Sequence, residues 1–144
     1  MKLLDANLLL YATDEQSPRH LAARSWLDGL LSGEEPIAFA WAVVLAFLRL
    51  STNPRIFEQP LSNDRAFEVV QGWMTHPSAV IVHPGDRHLT LLRQLLGPLG
   101  TAGNLMADAH LAALAIEHGA ELNSCDADFS RFSGLRWVNP LDSR

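Results

Sequence analysis

A chain of 144 residues, 48% apolar and 19% charged, is long enough for one domain with a proper core, and its composition argues against a disordered tail. Its net charge of −5 argues against a broad nucleic-acid-binding surface, which needs clustered Lys and Arg, but allows a small basic groove built from its ten Arg and one Lys. The single cysteine, Cys125, leaves no internal disulfide and suits a reducing cytoplasm; Asp5 breaks the first apolar run before a signal peptide could form, and the longest apolar run, Ile37 to Leu48, is too short to span a membrane.

Lys2-Leu3-Leu4 reads as a short buried strand, with Asp5 at its carboxyl end and a helix from Ala6. Ser17-Pro18 predicts the start of a helix that carries Ala22, Trp26 and Leu30 and stops near Gly33. Ile37 to Ala40 is a second buried strand. Trp41 to Leu50 follows as a helix apolar nearly all round, which fits either plain core or a subunit contact. Ser62 caps the next helix, with Ala66, Phe67, Val70, Trp73 and Met74 on its inner stripe. Ala79 to Val82 is a third strand. Asp86 is expected to cap a helix that turns Leu89, Leu92 and Leu96 inward. After the polar loop 100–104, a helix runs from about Leu105 to His118 and ends at Gly119. Glu121 to Ser124 and Arg136 to Val138 are the last two strands, with Phe129 and Phe132 pinning the turn between them. Short strands interleaved with helices predict one α/β domain over residues 1–144, a three-layer α/β/α sandwich around a parallel sheet.

Asp5 and Asp126 each end a predicted strand, and Asp108 lies near the amino end of the helix that leads into the strand closed by Asp126. In open α/β sheets the ligand crevice lies at the strands' carboxyl ends. If the two strands are neighbours, the three carboxylates share that crevice, and Asp128 adds a fourth. Carboxylates so close repel one another and invite a cation; hard oxygen ligands suit Mg²⁺ or Mn²⁺. Each Asp also has an ordinary reading as a helix or turn cap. His110 follows Asp108 by two residues and points away from it on a helix, and Cys125 reads as a small buried hydrophobe.

The segments Leu3 to Ala12, Phe47 to Arg49 with Ser51 to Pro54, Asp108 to Ala115, Ser124 to Phe129 and Gly134 to Pro140 resemble the PIN-domain toxins of the VapC type. The resemblance covers nearly the whole chain. It implies a PIN-like five-stranded parallel sheet of order 3-2-1-4-5, and a Mg²⁺-dependent endoribonuclease of a type II toxin–antitoxin pair. It further implies a homodimer held inactive by a VapB-type antitoxin. By motif, Asp5, Asp108 and Asp126 are the catalytic and metal-binding carboxylates, with Asp128 a further metal-site acid. Asn7 and Ser124 orient them, and Arg49 and Arg55 are the candidates for binding RNA.

The chain departs from the family pattern at Ala46, where a Glu is common three residues before the Arg of the second motif. The alternative reading is therefore a PIN-like module that binds antitoxin or RNA with weak or no catalysis. A receiver-type phosphoryl-transfer domain also uses strand-end Asp residues. It wants a Lys after a late strand, and Lys2 is in the wrong place; the haloacid-dehalogenase pattern wants an Asp where Asn7 stands.

Overall fold

The computed structural model describes residues 1–142. Five parallel strands, β1 (Lys2–Leu4), β2 (Ile37–Ala40), β3 (Ala79–Val82), β4 (Glu121–Asn123) and β5 (Trp137–Val138), form one sheet of order β3-β2-β1-β4-β5. The order follows from the chain's path. It steps outward from β1 through β2 to β3, returns across the sheet, and lays β4 against the free side of β1. β1 is thus paired on both sides, Leu3 against Ala38 of β2 and against Leu122 of β4. This explains why the strand is continuously apolar: Leu3 and Leu4 have no exposed surface.

Among the described residues six α-helices flank the sheet: α1 (Ala6–Thr13), α2 (His20–Leu31), α3 (Trp41–Ser51), α4 (Asn63–Met74), α5 (His88–Leu96) and α6 (Met106–Glu117). Right-handed crossovers assign the helices before β3 to one face and those after it to the other. The packing agrees: α1 lies on α2 and α3, α3 on α4, and α5 on α6. The core runs through both layers, with Phe39, Phe47, Leu114, Leu122 and Phe129 among its fully buried side chains.

Most expected elements are present, with four local corrections. Ser17 caps a turn rather than the helix: its Oγ accepts from Arg19 N at 3.1 Å, and α2 begins only at His20. Phe67 is 60% exposed, while Ala66, Val70 and Trp73 carry the inner stripe of α4. In α5 the buried residues are Leu91 and Leu95; Leu89 is 79% exposed, and Leu92 and Leu96 are only partly covered. Asp86 does not cap α5. Glu117, at the end of α6, accepts from Gly85 N at 2.7 Å and Arg87 N at 3.1 Å, and so supplies the acceptors that the start of α5 lacks. A Cβ at 85 would lie 2.7 Å from Glu117 Oε2, so a side chain there would push the Glu117 carboxylate away and loosen this tie.

Candidate metal centre

The topology turns at the junction of β1 and β4, and the crevice opens beyond their carboxyl ends. Leu4 pairs with Asn123, so the residues that follow, Asp5 and Ser124, leave the sheet side by side. Asp5 N donates to Asn123 O at 3.0 Å and fixes that junction.

Asp5 caps α1, its Oδ1 accepting from Ala6 N at 2.7 Å, while its Oδ2 accepts from the Ser124 hydroxyl at 2.7 Å. Ser124 Oγ in turn accepts from Asn7 Nδ2 at 3.1 Å and from Asp126 N at 3.0 Å. One donated and two accepted bonds complete the bonding capacity of a hydroxyl. Ser124 is fully buried, with no lone pair left for attack; it is a pin between the two motifs, not a nucleophile. Asn7 completes the bracket, its Oδ1 accepting from Cys125 N at 3.4 Å. Trp137 steadies it from β5, donating its indole N–H to Ser124 O at 3.0 Å.

Asp126 also caps, its Oδ1 accepting from Asp128 N at 2.9 Å at the start of the 3₁₀ turn Ala127–Arg131. Capping and convergence are therefore not alternatives here. Asp108, in the first turn of α6, comes in from the opposite side. Asp108, Asp126 and Asp128 each present a carboxylate oxygen, and the three atoms lie within 4.8 Å of one another. Asp5 stands just outside this trio, within range of its charges.

The electrostatics follow from that crowding. Burial, then the charges of Asp126, Asp5 and Asp128, push the Asp108 pKa up to about 6. Asp5 is raised too, chiefly by burial and slightly by Asp126, against the lowering effect of its bonds from Ser124 and Ala6. Only one cation answers this charge: Arg131 Nε lies 3.8 Å from Asp128 Oδ1, among the described residues. Sequence reasoning missed that pair, although the i, i+3 spacing advertises it. It also missed Trp137, for which the sequence holds no local signal, since the bond depends on β5 lying beside β4.

The PIN domain family model matches residues 2–135. The chain is 49% identical over 140 residues to "Ribonuclease VapC37" of Mycobacterium tuberculosis, covering 97% of each chain, and 42% identical over 140 residues to "Ribonuclease VapC31" of the same organism, covering 97% of this chain and 99% of that one. The chain belongs to the VapC family of PIN domains. Among solved structures, VapBC2 from Rickettsia felis, bound to a DNA fragment from its promoter, superposes with a TM-score of 0.70 at 18% identity, over 96% of this chain and 97% of that one.

In this PIN domain, α3 contributes no acid, and Ala46 is half-buried where a Glu is common in the family pattern. Arg49 is exposed in the last turn of α3, and Arg55 is exposed in the turn beyond it; among the described residues neither pairs with any of the four carboxylates. His110 turns away from Asp108, as expected, and its Nδ1 meets His88 Nε2 at 2.8 Å. That bond and the edge-on rings tie α5 to α6. Cys125 is only half-buried, its thiol 3.5 Å from Asn139 Oδ1, so it bonds rather than simply filling space.

Proposed function

We propose that this protein is a divalent-metal-dependent endoribonuclease, the toxin of a type II toxin–antitoxin pair. The reading rests on the meeting of Asp108, Asp126 and Asp128 at the β1–β4 junction, with Asp5 alongside. The relatives named ribonucleases support the nuclease class, and the VapBC neighbour supports an antitoxin as partner. The donor set fits the metal: three carboxylate oxygens within 4.8 Å, and an Asp108 pKa of about 6, are what hard oxygen ligands for Mg²⁺ or Mn²⁺ look like before the cation arrives.

Asp108, Asp126 and Asp128 would hold the ion, with Asp5 closing the crevice behind them. When bound, such an ion supplies Lewis acidity to a phosphodiester and an acidic water for hydrolysis. The chain's own work is positioning. Ser124 and Asn7 hold Asp5 and the Asp126 backbone in register, and Asp108 would serve as a ligand in its ionised form. Arg131, 3.8 Å from Asp128, is the side chain with which a bound cation would compete for that charge. Arg49 and Arg55 remain proposed RNA contacts from the family pattern, at the exposed end of α3.

The test is incubation of the protein with total cellular RNA and Mg²⁺ or Mn²⁺, mapping new 5′ ends. Cleavage is expected in the parent and is expected to fall by about 10²-fold or more in Asp108→Asn and Asp126→Asn, since a misplaced or missing metal forfeits several kcal/mol of transition-state stabilisation. Undiminished cleavage in both variants overturns the mechanism. Ala46 favours a second reading, a module that binds without cutting. Calorimetry separates the two: no heat of binding at millimolar Mn²⁺ selects the module.

The same reading includes a homodimer in the cytoplasm. Trp41 is 49% and Leu45 is 58% exposed on the otherwise apolar α3, a face suited to a second copy. Leu45→Asp is expected to shift light scattering from dimer to monomer at micromolar concentration; a parent that is already monomeric removes the dimer. No helix among the described residues is long and apolar enough to cross a membrane.

A further inference from the structure

An anionic strand that enters the crevice meets four carboxylates, so its phosphates need a positive group at the same place. Among the described residues one cation contacts any of the four: Arg131, whose Nε lies 3.8 Å from Asp128 Oδ1. The other paired cations answer acids outside the crevice, Lys2 with Glu121 and Glu35, Arg24 with Asp28, and Arg65 with Glu68. The backbone at Arg131 is tightly held. It closes the 3₁₀ turn Ala127–Arg131, which starts on the Asp126 cap and packs against α6, the helix that carries Asp108. Phe129 and Phe132 bracket it; both are buried, their ring centroids lie 6.1 Å apart, and Phe132 N donates to Phe129 O at 3.2 Å. With these two rings in the core, Ser130 and Arg131 face outward.

The side chain is placed but not used up. A separation of 3.8 Å is an ion pair without a hydrogen bond, and among the described residues the Arg131 guanidinium donates no hydrogen bond. Its side chain is 56% exposed. With Nε turned to Asp128, Nη1 and Nη2 are left as a planar fork, which matches the two non-bridging oxygens of a phosphodiester. An exposed ion pair of this kind adds little to stability, so the fold alone does not account for the residue.

We infer that Arg131, anchored beside Asp128 by the turn between Phe129 and Phe132, is a phosphate contact that seats the RNA backbone at the edge of the carboxylate crevice. The inference rests on the proposed RNA-cleaving reading. It adds a substrate residue in contact with the site itself, which neither Arg49 nor Arg55 is. An acidic protein segment could meet the same fork, but the fork borders the oxygens proposed to hold the ion, where the strand being cut must pass.

The experiment measures equilibrium binding of a fluorescein-labelled single-stranded RNA by anisotropy, across a KCl series at fixed Mn²⁺, in an Asp108→Asn background that prevents cleavage. Arg131→Gln is expected to weaken binding by about tenfold at low salt and to flatten the slope of log K against log salt by about 0.7, the loss of one phosphate contact. Arg131→Lys is expected to restore the slope, because it restores the charge, but not the full affinity, because it lacks the fork. Arg65→Gln removes an equal charge from α4, which packs against β3 at the far edge of the sheet, and should leave the slope unchanged. Calorimetry on Arg131→Gln in the otherwise unaltered protein should give a Mn²⁺ affinity no lower than the parent's. An unchanged slope in Arg131→Gln overturns the inference and leaves the fork to a protein partner. An equal flattening in Arg65→Gln overturns it as a general charge effect. A slope that Lys does not restore, or a fall in Mn²⁺ affinity, overturns it by marking a structural role. In each of these cases cleavage by the parent still upholds the nuclease reading. A parent that binds no RNA at all overturns both.

Discussion

Helix α6 carries an acid near each end, and the two are treated in opposite ways. Glu117, at the carboxyl end, receives the Gly85 and Arg87 backbone N–H groups, and these bonds, the Gly85 one foremost, with the charges of His88 and His118, lower its pKa against a desolvation penalty. Asp108, at the amino end, receives no such donors among the described residues; burial first, and then three other carboxylates, raise its pKa to about 6. The same helix thus uses one acid to hold the fold together and leaves another in conflict with its surroundings. An acid that serves structure is given donors. An acid kept among like charges is a cost to the apoprotein that a proton or a bound cation relieves.

The largest effect that sharpens this contrast lies in metal binding. Protons and the cation compete for Asp108, whose pKa is about 6, so Mn²⁺ affinity should rise steeply between pH 5 and pH 7, by about tenfold. Calorimetric titrations at the two pH values check this, and equal affinities would show that Asp108 is not a ligand. Next comes stability. Because the folded-state pKa of Asp108 lies above its unfolded value, protonated Asp108 favours the native state. Its contribution is complete below about pH 4 and is lost as the pH rises through about 6. Asp108→Asn removes that penalty. At pH 7 without metal its Tm should exceed the parent's by about 3 °C, equivalent to roughly 1 kcal/mol in a chain of this size once the shift is discounted for solvent screening at a part-exposed site, and the gap should close at pH 4. The smallest effect concerns the other end of the helix. Glu117→Gln should lower Tm by weakening the tie between α6 and the start of α5, while leaving Mn²⁺ affinity as it was. A fall in Mn²⁺ affinity would break the separation of the two ends.

Much of the candidate site is legible in the order of residues alone. Asp5, Asp108 and Asp126 stand out because each follows or faces the end of an apolar segment, and parallel strands direct such ends to one edge. The sheet order follows from the family resemblance, and β1 lying between β2 and β4 bears it out. The relative roles within the crevice are less legible. The motifs group Asp5 with Asp108 and Asp126, yet the trio whose oxygens meet is Asp108, Asp126 and Asp128, because Asp5 is drawn back by Ser124 and Ala6.

By itself the sequence determined what local chemistry can dictate: where apolar runs make strands, where Ser62 starts a helix, and which carboxylates end up at strand tips. Only the tertiary structure decided which face of α5 is buried. Leu89, Leu92 and Leu96 make as good a stripe as the Leu91 and Leu95 that face inward, and the choice belongs to what α6 presents. It likewise decided that Glu117, thirty-two residues away in the chain, would hold Gly85 in place of the nearby Asp86. Periodicity and capping are local and can be read from neighbours in the chain. Partners across the sheet are chosen by packing, which a linear pattern does not encode.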